Sequence, residues 1–173
     1  MSNRNYNFRN SFNIGTIAVK AVSDILVKQP IHINLISVEN LPLFQERGVD
    51  LIWVVDDAGT KRRVGVEVKA DTYYDTGNLF LETVSNMTKE TPGCFVSSCA
   101  DIYAYFFVGV DVLYWIPMKK AQEWFSLNYK RFPEKTTSTG RGSEHFYKTK
   151  GVLVPRDVVV QEVYGTKVIT IGG

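Results

Sequence analysis

The segment from Asp50 to Ala70 constrains the fold more than any other stretch of this chain. Two β-rich runs, Asp50–Asp56 and Lys61–Ala70, bracket the tetrapeptide Asp57-Ala58-Gly59-Thr60. That tetrapeptide is turn chemistry, with a glycine available for positive φ. Two strands joined by so tight a turn form a hairpin. Side chains alternate along a strand, so Leu51, Trp53 and Val55 share one face, and Val64, Val66 and Val68 share one face of the partner. Both apolar sets belong against a core. The opposite face then carries Asp50, Ile52 and Val54 beside Gly65, Glu67 and Lys69. With Ala58 and Gly59 as the loop, Asp57 faces Thr60, and counting back puts Asp50 opposite Glu67. Cross-strand neighbours lie about 5 Å apart. The pattern sets two carboxylates side by side, with an ammonium two residues along the same strand.

The rest of the chain supplies the surroundings. Apolar residues recur every three or four positions from Asn13 to Gln29, which predicts a first helix with Asn13 as a possible cap and Pro30 as its stop. Ile33–Val38, Leu79–Val84, Phe95–Ser98, Tyr103–Val110, Val112–Ile116, Val152–Val154 and Val158–Val163 read as strands, and Pro117 opens a helix through Phe125. The expected fold class is α/β of the α+β kind: a mixed β-sheet with the hairpin 50–69 at its centre, flanked by helices. The 173 residues fit a single domain. Residues 132–150, rich in Thr, Ser, Gly, Lys and Arg, are expected to be mobile.

Several function classes are disfavoured. The longest apolar stretch, Ala104–Val110, is far shorter than the roughly 20 residues of a membrane-spanning helix. The polar, Asn-rich start lacks the apolar run of a secretory signal, so the expectation is a cytoplasmic protein with no membrane partner. Cys94, Cys99, His32 and His145 are too scattered for a structural zinc site. Net charge is only +2, but Lys130, Arg131, Lys135, Arg141, Lys148, Lys150 and Arg156 cluster against only Glu134 and Glu144. Such a local excess suits a phosphate-binding rim, with Arg141, Lys148 and Lys150 as candidate DNA contacts, although charge alone favours a solvated surface loop. Lys61, Arg62 and Arg63, just past the hairpin turn, are candidates of the same kind; wet hairpin tips are also often charged for no other reason.

Adjacent carboxylates repel and are costly to cluster without a cation between them. Mg²⁺ takes hard oxygen ligands, commonly one or two carboxylates with water and phosphate oxygens completing the shell. Lys69, beside two acids, stays protonated and stabilises charge developing on a phosphoryl group. That is a working set for phosphodiester hydrolysis. A Glu-x-Lys on a solvent-facing strand is by itself a common weak surface pair. What raises the signal here is the apolar reverse face of both strands and the position of Asp50.

Asp50, followed by a hairpin and then Glu67-Val68-Lys69, resembles the Asp…(Asp/Glu)-x-Lys signature of the PD-(D/E)XK, or restriction-endonuclease-like, nuclease superfamily. The stretch Glu67-Val-Lys-Ala-Asp71, then Thr76-Gly77-Asn78-Leu-Phe-Leu-Glu82, then Ala100-Asp101-Ile-Tyr103 is similar to a phage- and bacteria-associated branch of it. The likeness covers roughly Gly48 to Pro117. It implies a restriction-endonuclease-like core and an Mg²⁺-dependent endodeoxyribonuclease, with Mn²⁺ able to substitute, of restriction, homing or recombination and junction type. Asp50 and Glu67 would bind the metal, the main-chain carbonyl of Val68 would be a further ligand, and Lys69 would be the catalytic lysine. The chain departs from the family at Val49, where the signature has proline, and in the first helix, where Asp24 is the only acid between Ile14 and Val27. Glu82 is a candidate for the missing charge. DNA is the implied partner, and a homodimer or higher oligomer follows by analogy. The alternatives are a catalytically weakened DNA-binding module on the same fold, and an unrelated α+β protein with a chance Glu-x-Lys.

Overall fold

The computed structural model describes residues 8–139 and 147–171, with side chains over 13–138 and 147–171. In chain order the elements are α1 (Phe8–Leu26), β1 (His32–Ser37), α2 (Pro42–Glu46), β2 (Leu51–Asp57) and β3 (Thr60–Asp71). There follow β4 (Asn78–Asn86), β5 (Thr91–Pro92), α3 (Cys94–Ser97), β6 (Ile102–Phe107), β7 (Val112–Pro117) and α4 (Met118–Asn128). The described chain closes with β8 (Glu134–Thr139), β9 (Tyr147–Pro155), α5 (Arg156–Glu162) and β10 (Lys167–Thr170). The class is mixed α+β.

The hairpin forms in the register its turn dictates. β2 and β3 pair without a shift from Asp57↔Thr60 to Leu51↔Val66. Ala58 (φ 53) and Gly59 (φ 86) both adopt the left-handed conformation that a two-residue turn of this twist demands. Asp56 Oδ1 accepts the Gly59 N–H at 2.6 Å and holds the turn. The hairpin belongs to a six-stranded sheet, β1-β2-β3-β6-β7-β10, in which β3 and β6 are parallel and the other pairs antiparallel. The crossover from β3 to β6 carries β4, β5 and α3. β4 leaves the main sheet and joins a second, antiparallel one, β5-β4-β9-β8.

Two apolar layers result. Ala18, Val22 and Leu26 of α1 pack on Leu51, Trp53, Val55, Val64, Val66, Ala104, Phe106 and Leu113, with Val68 partly buried beside them. Each such fully buried aliphatic side chain contributes about 1.5–3 kcal/mol of transfer free energy. On the reverse face, Tyr103, Tyr105 and Phe107 meet Leu79, Leu81, Val152 and Val154 of the second sheet, with Phe95, Phe125, Val159 and Val163. α1 covers the hairpin on one side; on the reverse face of the sheet the second sheet and its helices pack on β6 and β7.

Three local expectations are corrected. Asn13 is no cap: α1 already runs from Phe8, and Asn13 sits exposed inside it, where its weak helix propensity costs well under 1 kcal/mol. Phe95–Ser98 is not a strand but overlaps the helical turn α3; Gln122 of α4 donates to the carbonyls of Phe95 (2.9 Å) and Ser98 (3.0 Å), satisfying groups that a strand would have paired. Val158–Val163 likewise falls in α5 and its C-cap. Its β-branched residues favour a strand, but Val159 and Val163, four apart, bury together and override that preference. The segment 132–150 contributes β8 and part of β9, paired from Glu134↔Val152 to Thr139↔Tyr147; residues 140–146, Arg141 among them, lie outside the described residues.

Candidate active site

Asp50, Glu67, Lys69 and Glu82 come together where β2 begins, beside the second sheet. The β2–β3 ladder stops one pair short of Asp50 and Glu67. There the Asp50 N–H bonds the Val66 carbonyl at 2.9 Å, and the Asp50 carboxylate accepts the Val68 N–H at 2.7 Å. Asp50 therefore extends the pairing at the start of β2 with its side chain. Glu67, on the face away from α1, is buried at 9% exposure, whereas the Val68 side chain between Glu67 and Lys69 turns to the α1 layer.

Lys69 Nζ donates to Glu82 Oε2 at 3.0 Å. Glu82, itself buried, is brought there by two close approaches. A Cβ on Gly93 would lie 2.4 Å from the Glu82 carbonyl oxygen, so only glycine lets the start of α3 press against β4. Gly151 is the register partner of Glu82 on β9, and a Cβ there would strike the Phe80 ring at 2.6 Å. The Cys94 N–H, following Gly93, points at Glu82 Oε1 over a long 3.4 Å. A further clamp holds the layers together: the Tyr105 hydroxyl donates to Asp71 Oδ2 and accepts the Phe80 N–H at 3.0 Å, two residues before Glu82. Residue spacing carries no sign of Gly93, Gly151 or Tyr105, because each acts through a neighbour far along the chain.

The electrostatics follow from crowding. Burial raises the Glu67 carboxyl to about 8, and the neighbouring Asp50 and Glu82 add to the rise against the opposing pull of Lys69. Burial raises Asp50 to about 6, although the Val68 N–H favours its ionised form. Burial works against the Lys69 ammonium, but the acidic groups it faces, Cys94, Glu82 and Asp71, outweigh that and hold it above the usual lysine value. The Cys94 thiol is pushed up to about 12 by burial and is neutral at physiological pH, which leaves Glu82 as the effective partner of Lys69.

Two crowded carboxylates, Glu67 buried and Asp50 half-buried, resist ionisation side by side and fit a single hard divalent cation, which would relieve their repulsion. Among the described residues no group of three or more His, Cys, Asp or Glu side chains is placed to hold a metal. Glu82 sits on Lys69 and compensates its charge. Asp24, the only acid of α1, is exposed and pairs with Lys20.

The chain matches no family model, no curated protein and no solved structure.

The candidate DNA contacts are dispersed. Lys61, Arg62 and Arg63 are exposed near the hairpin tip, and Arg62 pairs with Asp57 at 3.2 Å. Lys148 is exposed on β9, and Lys150 pairs with Glu134 at 2.8 Å. No helix among the described residues is long and apolar enough to cross a membrane.

Proposed function

We propose that this chain is a metal-dependent endodeoxyribonuclease with a restriction-endonuclease-like active site, hydrolysing DNA phosphodiester bonds with Mg²⁺ or Mn²⁺. One observation carries the reading: Asp50, half-buried, and Glu67, buried, are crowded together so that both carboxyls are raised, beside a lysine kept charged by its own acid. Such a cluster is costly in a protein that makes no use of it. Asp50 and Glu67 would hold the cation, with the Val68 carbonyl available between Glu67 and Lys69. A bound divalent ion polarises a phosphoryl oxygen and lowers the pKa of a coordinated water. Lys69 keeps its proton at neutral pH and presents it to charge growing on the phosphate oxygens. Glu82 fixes the lysine's rotamer, and its charge balances Lys69 when no substrate is present.

The reading extends to a homodimer, because cutting both strands of a duplex needs two sites. Its test is incubation of plasmid, linear and cruciform DNA with Mn²⁺, followed by electrophoresis. Cleavage by the wild-type protein and none by Lys69→Ala or Glu67→Gln is the expected result. Intact DNA with the wild type in all three forms refutes the enzyme reading. A second reading, a DNA-binding module that has lost its chemistry, is favoured by the lack of a third acidic, His or Cys ligand beside Asp50 and Glu67 among the described residues. DNA binding without cleavage would select it.

A further inference from the structure

We infer that the open face of the β1–β2–β3 extension is the bed on which a nucleic-acid duplex lies, gripped by Lys61 and Arg63 and not by Arg62. The inference rests on the nuclease reading above for the identity of the polyanion. Its geometry is independent of that reading.

β6 begins opposite Val66, so β3 from Thr60 to Gly65 reaches past it, accompanied by β2 and by β1 from His32 onward. One face of this three-stranded extension is closed by α1, which buries Trp53, Val55 and Val64. The other face is open: Asn34, Ile36, Asp56, Lys61 and Arg63 are exposed along it. Strand alternation assigns the basic residues to faces. Lys61, Arg63, Gly65, Glu67 and Lys69 form one row, while Arg62 falls with Val64 and Val66 on the α1 side. The ion pair agrees, since Arg62 meets Asp57, which shares the face of Trp53 and Val55.

Lys61 and Arg63 have no acidic partner among the described residues. Two neighbouring acids are engaged elsewhere. Asp56 stands opposite Lys61 but turns to the Gly59 N–H, and Asp101 accepts the Gly65 N–H at 2.7 Å. Two unpaired cations in line with the proposed catalytic residues fit a polyanion that runs along β3. At about 3.3 Å per residue, Arg63 stands about 13 Å and Lys61 about 20 Å from Glu67. A duplex lying along β3 carries its backbone past both side chains, with a phosphate about every 3.4 Å of axis on each strand.

The experiment measures anisotropy of a fluorescent duplex of about two helical turns in EDTA, over a range of salt concentrations. The proteins are wild type, Lys61→Ala/Arg63→Ala and Arg62→Ala. The double variant should bind more weakly and flatten the log–log salt slope by about two, one per lost contact, while Arg62→Ala binds as wild type. Neutral methylphosphonates scanned along both strands to either side of the cut should at some positions reproduce the loss in the wild type and, at those positions, add nothing in the double variant. Wild-type binding that neither the double variant nor the methylphosphonates change overturns this inference and leaves the nuclease reading standing. Wild type that binds no duplex overturns both. Sedimentation without DNA supplies the remaining control. A dimer lost only in the double variant would mean that a second copy of the chain covers this face, which overturns the proposal.

Discussion

Glu67→Gln should make the metal-free protein more stable, and increasingly so as pH rises. Glu67 holds its proton up to about pH 8 in the folded chain, against an ordinary glutamate value of 4.5. The folded state therefore binds more protons than the unfolded state between these values, and stability falls as pH climbs through that window. The contribution of this group is complete below 4.5 and lost once pH passes 8. Each pH unit in the interval removes about 1.4 kcal/mol, for a ceiling of about 5 kcal/mol. Water entry and movement of Asp50 and Lys69 relieve part of this, so a gain of about 2–3 kcal/mol for the glutamine variant at pH 8.5 is the working figure. Near pH 4.5 the two proteins should differ by no more than about 1 kcal/mol, one hydrogen bond's worth. Urea unfolding in EDTA at several pH values measures this directly. A difference between variant and wild type that stays constant or shrinks with rising pH refutes the crowded-carboxylate argument. Adding Mg²⁺ or Mn²⁺ at about 100 times its dissociation constant should return about 2.7 kcal/mol to the wild type at pH 8.5 through mass action, and close to nothing to the variant.

Lys69→Ala strands Glu82, only 8% exposed, without its cation and should cost about 3–5 kcal/mol in a thermal or urea melt; adding Glu82→Gln should recover most of it, and a double variant as unstable as the single one would remove the pair from the argument. Gly93→Ala puts a methyl group 2.4 Å from the Glu82 carbonyl, so it should lower stability by more than about 2 kcal/mol and impair cleavage together, whereas unchanged melting would mean that α3 can shift freely. Val66→Asp sets a carboxylate into the α1 layer, where Val66 has no exposure, and should leave no cooperative melting transition by circular dichroism; a folded protein would put the strand phase off by one.

The hairpin and its two faces were legible in the sequence because both signals are local. The turn chemistry of Asp57 to Thr60 fixes the register, and side-chain alternation then sorts Leu51, Trp53, Val55, Val64 and Val66 from Glu67 and Lys69. The same alternation brought Asp50 near Glu67, although the ladder itself ends one pair earlier, where Asp50 bonds with its side chain as well as its backbone. Phe95–Ser98 and Val158–Val163 read as strand by composition, but their helical form depends on contacts such as Gln122 with Phe95 and on the burial of Val159, which periodicity over a few residues does not register. What covers the site was beyond the sequence altogether. β4 looks like any third strand, and only the packed chain sends it to a second sheet, where Gly93 and Gly151 admit Glu82 against Lys69. Local periodicity decides which way a side chain points. Which acid lies beneath Lys69 was settled by the closure of a long crossover, and the energy of that closure lies in contacts between residues far apart in the chain.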